Sequence, residues 1–273
     1  MTTPFNFLGI PNVHPAEARV IILPVPFEET TSYGRGTVAG PGAIIEASRQ
    51  VELYNPELGK EIQELVKIAT LPNVSGGRED IGEMAAKWTD KFLISLGGEH
   101  SITPELVKPF LKKYPNLSIL QIDAHTDMRD EWEGSKNSHA CAMRRVQELG
   151  IQNIVQVGIR NTAKEEQQYL KLENIFWGDK YEINQILAKL TADVYFTFDV
   201  DGLDVSTMPA TGTPEPGGLS YSQALEIIKA VAQNKNLVAA DFVELSPIKN
   251  IPAYDFLVAK LIYSLINYYY AKT

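Results

Sequence analysis

Short apolar runs alternate with longer segments of helical spacing along most of the chain. The apolar runs, which are rich in branched side chains, read "RVIILP", "KFLISLG", "LSILQID", "NIVQVGI", "DVYFTFDV" and "LVAADFVEL". The helical patterns read "GAIIEASRQVELY", "TPELVKPFLKKY", "HACAMRRVQELG", "EEQQYLKLE" and "SYSQALEIIKAVAQ". Near-continuous apolar strands separated by helices indicate a parallel sheet that is buried on both faces. We therefore predict an α/β fold with three layers, α/β/α, around a mainly parallel central sheet.

The pattern gives no sign of a boundary between domains. No linker, low-complexity tract or internal repeat interrupts it, and a length of 273 residues suits one α/β unit. We therefore predict a single domain over residues 1–273. The longest stretch without a clear element, Met208 to Leu219, reads "MPATGTPEPGGL". A loop of this kind in a compact domain is more often functional than idle.

The C-terminal pattern "VAKLIYSLINYYYAK" has apolar residues at helical spacing, which predicts one more helix. Its tyrosines, Tyr268 to Tyr270, could belong to the core or to a subunit contact. We favour the core.

Composition narrows the classes of function. The formal net charge of −9 argues against nucleic acid or an anionic membrane as a partner, since such surfaces attract basic proteins, and it favours a cationic substrate. Cys141 is the only cysteine, which excludes an intrachain disulfide and a thiolate-built zinc site. With no signal-like N-terminus and no apolar run near the roughly 18 residues of a membrane span, we expect a cytoplasmic protein.

Acidic residues and histidines follow four of the predicted strands. They are His100 after "FLISL", Asp123, His125 and Asp127 after "LSILQI", Asp199, Asp201 and Asp204 after "VYFTF", and Glu244 after "VAADFV". In an open parallel sheet, ligands bind beyond the carboxyl ends of the strands, so we expect these side chains to converge at one edge. If "DAHTD" stays extended, its alternate residues also point to one face.

This group of side chains predicts a metal centre. A single Asp or His after a strand is usually a helix cap or a loop residue whose hydrogen bonds are satisfied. Four carboxylates in one place repel one another unless cations neutralise them, and here they are those of Asp123, Asp127, Asp199 and Asp201. Two divalent ions supply the charge, and an oxygen-rich site without sulfur suits manganese better than structural zinc. A binuclear centre lowers the pKa of a bridging water, so that hydroxide attacks at neutral pH, and hydrolysis is the expected chemistry.

The ordered segments resemble a known family, the ureohydrolases of the arginase and agmatinase type. The segments that carry the resemblance are "PVPFEETTSYGRGTVAGPGAIIEAS", "GGEHS", "DAHTD", "SHACAMRR", "FDVDGLD", "ATGTPEPGGL" and "VELSP". The resemblance extends from about Arg19 to Pro247 and implies the fold shared by arginases and the deacetylases similar to them. It also implies a homo-oligomer, commonly a trimer or hexamer.

The resemblance assigns residues to roles. One Mn²⁺ is expected on His100, Asp123, Asp127 and Asp199, and a second on Asp123, His125, Asp199 and Asp201. Asp127 is expected to accept the proton of the nucleophile, and His139 matches the histidine that delivers one to the departing amine. Glu244 matches the carboxylate that pairs with the guanidinium, and Thr213 a residue near it. Two positions depart from the family pattern, Val205 in place of proline and Gly42 in place of arginine.

The loop between Asp127 and His139, "MRDEWEGSKNS", is where the family reads the far end of the substrate. Its acidic residues Asp130, Glu131 and Glu133 make a poor site for an α-carboxylate, in spite of Arg129 and Lys136. We therefore expect hydrolysis of agmatine to putrescine and urea, with arginine or guanidinobutyrate as alternative substrates. A zinc-dependent amide deacetylase and a non-catalytic metal-stabilised binding protein are the alternatives from other classes.

Overall fold

The computed structural model describes residues 5–271. Its strands are β1 (Val20–Val25), β2 (Tyr54–Asn55), β3 (Lys60–Glu61), β4 (Ile68–Thr70), β5 (Phe92–Gly97), β6 (Ser118–Ile122), β7 (Ile154–Ile159), β8 (Ile175–Trp177), β9 (Asp193–Asp199) and β10 (Asn236–Val243). Its α-helices are α1 (Gly40–Ser48), α2 (Ile62–Leu65), α3 (Arg78–Ala86), α4 (Thr103–Val107), α5 (Ala142–Glu148), α6 (Ile183–Lys189), α7 (Tyr221–Asn234) and α8 (Ala253–Ala271).

Eight strands form one central sheet in the order β4-β1-β5-β10-β9-β6-β7-β8. Each neighbouring pair in this sheet is parallel. The four strands that were expected to end in acid or histidine, β5, β10, β9 and β6, are therefore adjacent at the centre. The prediction of a mainly parallel α/β sheet is confirmed.

Helices cover both faces of the sheet, because alternate residues of each strand enter different hydrophobic cores. In β1, Val20 and Ile22 pack into the first core, whereas Ile21 and Leu23 pack into the second. The first core contains apolar residues of α1, α7 and α8, and the second contains those of α3, α4 and α5. The strands read as continuous apolar runs because neither face meets water.

Some predicted helices are shorter than the pattern suggested. The pattern "TPELVKPFLKKY" forms α4 only to Val107, followed by a 3₁₀ turn over Lys108–Phe110, because Pro109 lacks the N–H that an α-helix requires. The pattern "EEQQYLKLE" forms no α-helix but two 3₁₀ turns, Lys164–Gln168 and Leu172–Asn174. There the buried Glu166 carboxylate turns back to its own segment, which favours one short turn.

The C-terminal helix α8 packs on the first core and confirms the core assignment of two tyrosines. Tyr268 and Tyr270 are buried, and Tyr269 is partly buried against the same core. Across residues 5–271, every helix is too short or too polar to serve as a membrane span.

Candidate metal centre

The site lies at the carboxyl ends of the four central strands, and strand register places these ends at one level. Phe242 of β10 pairs with Leu96 of β5 and with Phe198 of β9, and Phe198 also pairs with Ile122 of β6. The residues that follow these positions therefore face one another. This alignment brings together residues that are distant in sequence.

The first group of metal-binding atoms surrounds the Nδ1 atom of His100. This atom lies 3.1 Å from Asp123 Oδ2, 2.9 Å from Asp127 Oδ2 and 3.5 Å from Asp199 Oδ2. All four residues are buried, and His100 Nδ1 has no hydrogen-bond partner within the described chain. A buried nitrogen that points at three carboxylates has the arrangement of a metal ligand.

The second group adjoins the first and shares Asp123 with it. His125 Nδ1 lies 3.0 Å from Asp201 Oδ2 and 3.6 Å from Asp123 Oδ1. The side chains of Asp123, His125 and Asp201 can together hold one ion, as can those of His100, Asp123 and Asp199. Asp123 thus belongs to both of the groups that could hold an ion.

Electrostatics within the site also favour bound cations. Burial, together with the neighbouring Asp201 and Asp123 carboxylates, raises the pKa of Asp199 well above its usual range. Burial and the Asp123 carboxylate raise the pKa of Asp127 to about 6. Buried carboxylates at this density repel one another, and positive charge relieves that repulsion. The residues present therefore fit divalent metal ions.

A chain of hydrogen bonds behind His100 fixes which of its nitrogens faces the site. The Thr197 hydroxyl donates to Asp241 Oδ1 at 2.5 Å and lies 2.9 Å from His100 Nε2. Since the hydroxyl proton is directed to Asp241, the hydroxyl accepts the Nε2 proton. The Nδ1 lone pair is then free to bind a metal, which is the usual arrangement behind a histidine ligand.

The Asp123–Asp127 segment is not the extended strand on which one prediction depended. β6 ends at Ile122, and the Asp123 carboxylate accepts a hydrogen bond from the His125 backbone N at 2.6 Å, which turns the chain. Asp127 then adopts a left-handed backbone with φ of 52°. The alternating pattern correctly predicted that the three side chains meet, but they meet through a turn rather than through strand alternation.

Glu244 contacts the backbone of His100 and is held by two hydrogen bonds to the main chain. Its Oε1 accepts the His100 backbone N at 2.6 Å, and its own N donates to the Gly98 carbonyl at 2.7 Å. Its backbone is also left-handed, with φ of 65°. Burial, with the Glu99 and Asp201 carboxylates, raises the pKa of Glu244 to about 8. A cationic group beside Glu244 would therefore stabilise its carboxylate form.

A cavity of about 190 Å³ opens above the two groups. Its floor contains His100, His125, Asp127, Asp199, Asp201 and Glu244, and its walls include Thr31 to Gly34, Arg129, Trp132, His139, Asn161 to Ala163, Glu166, Gly212 and Thr213. Of the residues to which the sequence assigned a role in the site, the buried Asp123 is the one that does not line the cavity. Asp204, which was also expected at this edge, lies outside the cavity, and its carboxylate accepts the Ser206 and Gly217 backbone N–H groups of its own loop. The long loop Met208–Leu219 contributes Gly212 and Thr213, and the Thr213 hydroxyl lies 3.3 Å from Asp201 Oδ2.

The expectation about the loop after Asp127 needs correction. Its acidic residues do not line the cavity, whereas Arg129 and Trp132 do. Asp130 forms ion pairs with Lys136 and Arg145. The charge count of "MRDEWEGSKNS" therefore gives no argument about the substrate, because none of its three acidic residues lines the cavity.

Several buried polar residues of the site were not found from the sequence. Glu166 is buried in the cavity wall and its Oε1 accepts the Met128 backbone N at 2.8 Å. Asp241 could have been found, because an acidic residue within the apolar run "VAADFV" is unusual for a buried strand. Glu99 and Thr197 gave no local signal, because their roles depend on partners far away in the sequence.

The fold and the site together define an α/β protein with histidine and carboxylate groups able to hold metal ions at the centre of its sheet edge. The chain belongs to the arginase family, whose model matches residues 18–267. It is accordingly a hydrolase of that family, and its relatives are named for ureohydrolase activities. The resemblance noted from the sequence motifs is confirmed.

Relatives and solved structures match over nearly the whole chain. An N(1)-aminopropylagmatine ureohydrolase of Synechocystis is 36% identical, over 93% of this chain and 90% of its own length. An agmatinase of Bacillus cereus is 37% identical, over 86% of this chain and 87% of its own length. The crystal structure of the agmatine ureohydrolase of Thermoplasma volcanium superposes with a TM-score of 0.82 at 29% identity, covering 93% of this chain and 91% of that one.

Proposed function

We propose that this protein hydrolyses a guanidino group to urea and a primary amine with two Mn²⁺ ions. The observation that carries the proposal is the pair of metal-binding groups joined by Asp123, which lies at the floor of a cavity that also presents Glu244. The oxygen-rich donor set without sulfur favours manganese.

We assign His100, Asp123, Asp127 and Asp199 to one ion and Asp123, His125, Asp199 and Asp201 to the other. When bound, the two ions supply Lewis acidity and a water activated for attack at neutral pH. The buried carboxylates would hold both ions where the four strand ends meet.

Four side chains act on the substrate or on the attacking water in this proposal. The Glu244 carboxylate binds the guanidinium through charge-assisted hydrogen bonds and so orients its central carbon over the floor of the cavity. Asp127 accepts the proton of the attacking water, and His139 delivers a proton to the departing amine. Thr213 lies beside Asp201 at the same level and supports the guanidinium.

The cavity favours a substrate without an α-carboxylate. Within residues 5–271, Arg129 is the one lysine or arginine that lines it, and Arg129 is ion-paired with Glu165. A carboxylate in the cavity would therefore meet no unpaired arginine or lysine. Agmatine is our first candidate, and N(1)-aminopropylagmatine is the second, since relatives at 36% and 38% identity carry that name.

A panel of guanidino compounds tests the proposal. We expect Mn²⁺-dependent urea release from agmatine or N(1)-aminopropylagmatine, and much slower release from arginine and guanidinobutyrate. Release from none of the four would contradict the proposed function. Faster release from arginine and guanidinobutyrate, which both carry a carboxylate, would contradict the substrate assignment but not the proposed hydrolysis.

A matched variant separates catalysis from metal-stabilised binding. Asp127→Asn keeps the shape of the side chain and one oxygen able to bind the ion, but it removes the proposed proton acceptor. In a variant that still holds two ions, we expect urea formation to fall about 100-fold or more. Elemental analysis should show two Mn²⁺ per subunit in the wild type. A single Zn²⁺ per subunit, together with release of acetate from acetylated amines, would favour the deacetylase alternative. Unchanged urea formation in Asp127→Asn with full metal content would contradict the role of this residue.

A further inference from the structure

Glu99 is a fully buried carboxylate that the proposed reaction does not use. It lies between Gly98, which follows the end of β5, and His100, and its side chain has no exposed surface. Its Oε2 accepts the backbone N–H groups of Glu29 at 2.6 Å and Thr30 at 2.5 Å. Its Oε1 accepts the Thr30 hydroxyl at 2.7 Å and also the Ser101 hydroxyl. A carboxylate with this many donors fixes the segment around Thr30.

The Thr30 hydroxyl connects Glu99 to His139. It accepts the His139 backbone N–H at 3.0 Å, and it lies 3.4 Å from the ring nitrogen Nδ1. A hydroxyl has one proton, and the carboxylate of Glu99 can only accept, so the Thr30 proton points to Glu99. Toward His139 the hydroxyl oxygen can then only accept a hydrogen bond. The ring therefore meets this oxygen best with a proton on Nδ1.

The other ring nitrogen faces the cavity side. His139 Nε2 lies 3.5 Å from the Ser32 hydroxyl, and both residues line the cavity. Among residues 5–271, the Ser138 hydroxyl also lies near that nitrogen, at 3.4 Å from Nδ1. With Nδ1 protonated, the lone pair of Nε2 is on the cavity side of the ring.

We propose that Glu99 is a positioning residue that, through the Thr30 hydroxyl, holds His139 in the tautomer with Nδ1 protonated and Nε2 directed to the cavity. The link to catalysis rests on the proposed function, in which His139 delivers a proton to the departing amine. The tautomer itself does not depend on which substrate is bound.

Arg78 joins the two segments from the outside. Its guanidinium donates to Glu29 Oε2 at 2.8 Å and to the Asn137 carbonyl at 3.0 Å, just before His139. It also lies 3.5 Å from Glu99 Oε1 and stacks over the Phe27 ring. Arg78 therefore contacts both the segment that carries Thr30 and the segment that carries His139, and it lies beside the Glu99 carboxylate that binds the first of them.

Two substitutions at Thr30 provide a matched test. Thr30→Val keeps the shape and loses the hydroxyl, whereas Thr30→Ser keeps the hydroxyl. We expect Thr30→Val to lower kcat about 10- to 100-fold, part of what general acid catalysis contributes, while KM changes less than about threefold. Thr30→Ser should stay within about threefold of the wild type in both constants. Equal loss of activity in the two variants, or none in either, would overturn the proposal.

The tautomer is measured without reference to activity. Proton–nitrogen correlation spectra of protein with ¹⁵N-labelled histidine should show that Nδ1 of His139 is protonated. The His139 signals are identified as those that are missing from the spectrum of His139→Asn. Mg²⁺ should replace Mn²⁺, since paramagnetic ions broaden nearby signals. We expect Thr30→Val and Glu99→Gln to shift His139 toward the other tautomer and Thr30→Ser to leave it unchanged.

The two readouts distinguish the failure of this inference from the failure of the proposed function. If the wild type releases no urea but the tautomer shifts in Thr30→Val, the proposed reaction is wrong and the positioning role stands. If urea release is normal and the tautomer is the same in Thr30→Val and Glu99→Gln, the positioning role is wrong.

Discussion

Two carboxylates of the cavity floor, Asp127 and Glu244, lie on left-handed backbone, with φ of 52° and 65°. Such a conformation costs about 1 kcal/mol or more for a residue other than glycine and persists only where neighbours impose it. Glu166 holds the residue after Asp127, and the Gly98 carbonyl holds Glu244. These contacts thus hold both residues in a strained backbone conformation in which they line the cavity.

The hydrogen bond behind His100 gives a prediction about metal affinity. Thr197→Val removes the acceptor for the Nε2 proton and should weaken Mn²⁺ binding about 10- to 100-fold, as substitutions behind a metal ligand commonly do. Thr197→Ser keeps the hydroxyl and serves as the control. Isothermal titration with Mn²⁺ measures both, and equal affinity in wild type and Thr197→Val would refute the role of this hydroxyl.

A functional residue could be predicted from the sequence only where the residues next to it in the chain form a recognisable motif. The six proposed metal ligands were marked by acid and histidine directly after apolar runs, and the structure brings all six together. Glu99 and Glu166 escaped notice because a single acid in a loop or in "KEEQQ" is usually exposed. The direction of the Asp130 side chain likewise depends on Lys136 and Arg145, which no local pattern pairs with it.

Two elements, helix α1 and the loop after β9, contain the departures from the family pattern, Gly42 and Val205. Gly42 lies on the exposed side of α1, and a Cβ added there would meet nothing within 4 Å. The absence of an arginine side chain at this position therefore removes no support inside the described chain. Val205 follows Asp204, whose carboxylate accepts the Ser206 and Gly217 N–H groups and so holds the turn without proline.

Two glycines of α1 give opposite expectations. Gly42→Ala should raise the free energy of unfolding by about 0.5–1 kcal/mol, since alanine restricts the unfolded chain and fits the helix. Gly40→Ala should lower it, because its Cβ would lie 2.6 Å from the Leu245 carbonyl, next to Glu244. Urea unfolding of the two variants compares them, and the reverse order would contradict this account of α1.

Element types were predictable where the pattern was long and periodic. The six apolar runs all form strands of the sheet, because burial on both faces leaves an unbroken apolar signal. The short edge strands β4 and β8 and the helices α3 and α6 were not predicted. Short or weakly patterned segments owe their form to what they pack against, and that information is not local.

For the whole molecule, the proposed ions join four strand ends and should stabilise the entire fold. An ion at 100 times its dissociation constant adds about 2.7 kcal/mol to the free energy of unfolding. Removal of metal with a chelator should therefore lower the thermal midpoint, and Mn²⁺ should restore it. Asp123→Ala, which lacks the shared ligand, should show a much smaller difference. An equal difference in both proteins, by calorimetry, would contradict a metal centre at this position.

The strand order has a consequence for the way the chain is synthesised and folds. β10 is the last strand along the chain, yet it lies between β5 and β9 at the middle of the sheet. Until residues 236–243 leave the ribosome, β5 and β9 cannot take their final neighbours, and each has an open edge that can pair wrongly. Insertion of β10 closes both edges and sets Glu244 opposite His100 in the same step. A nascent chain that lacks this strand therefore has neither a complete sheet nor a complete site.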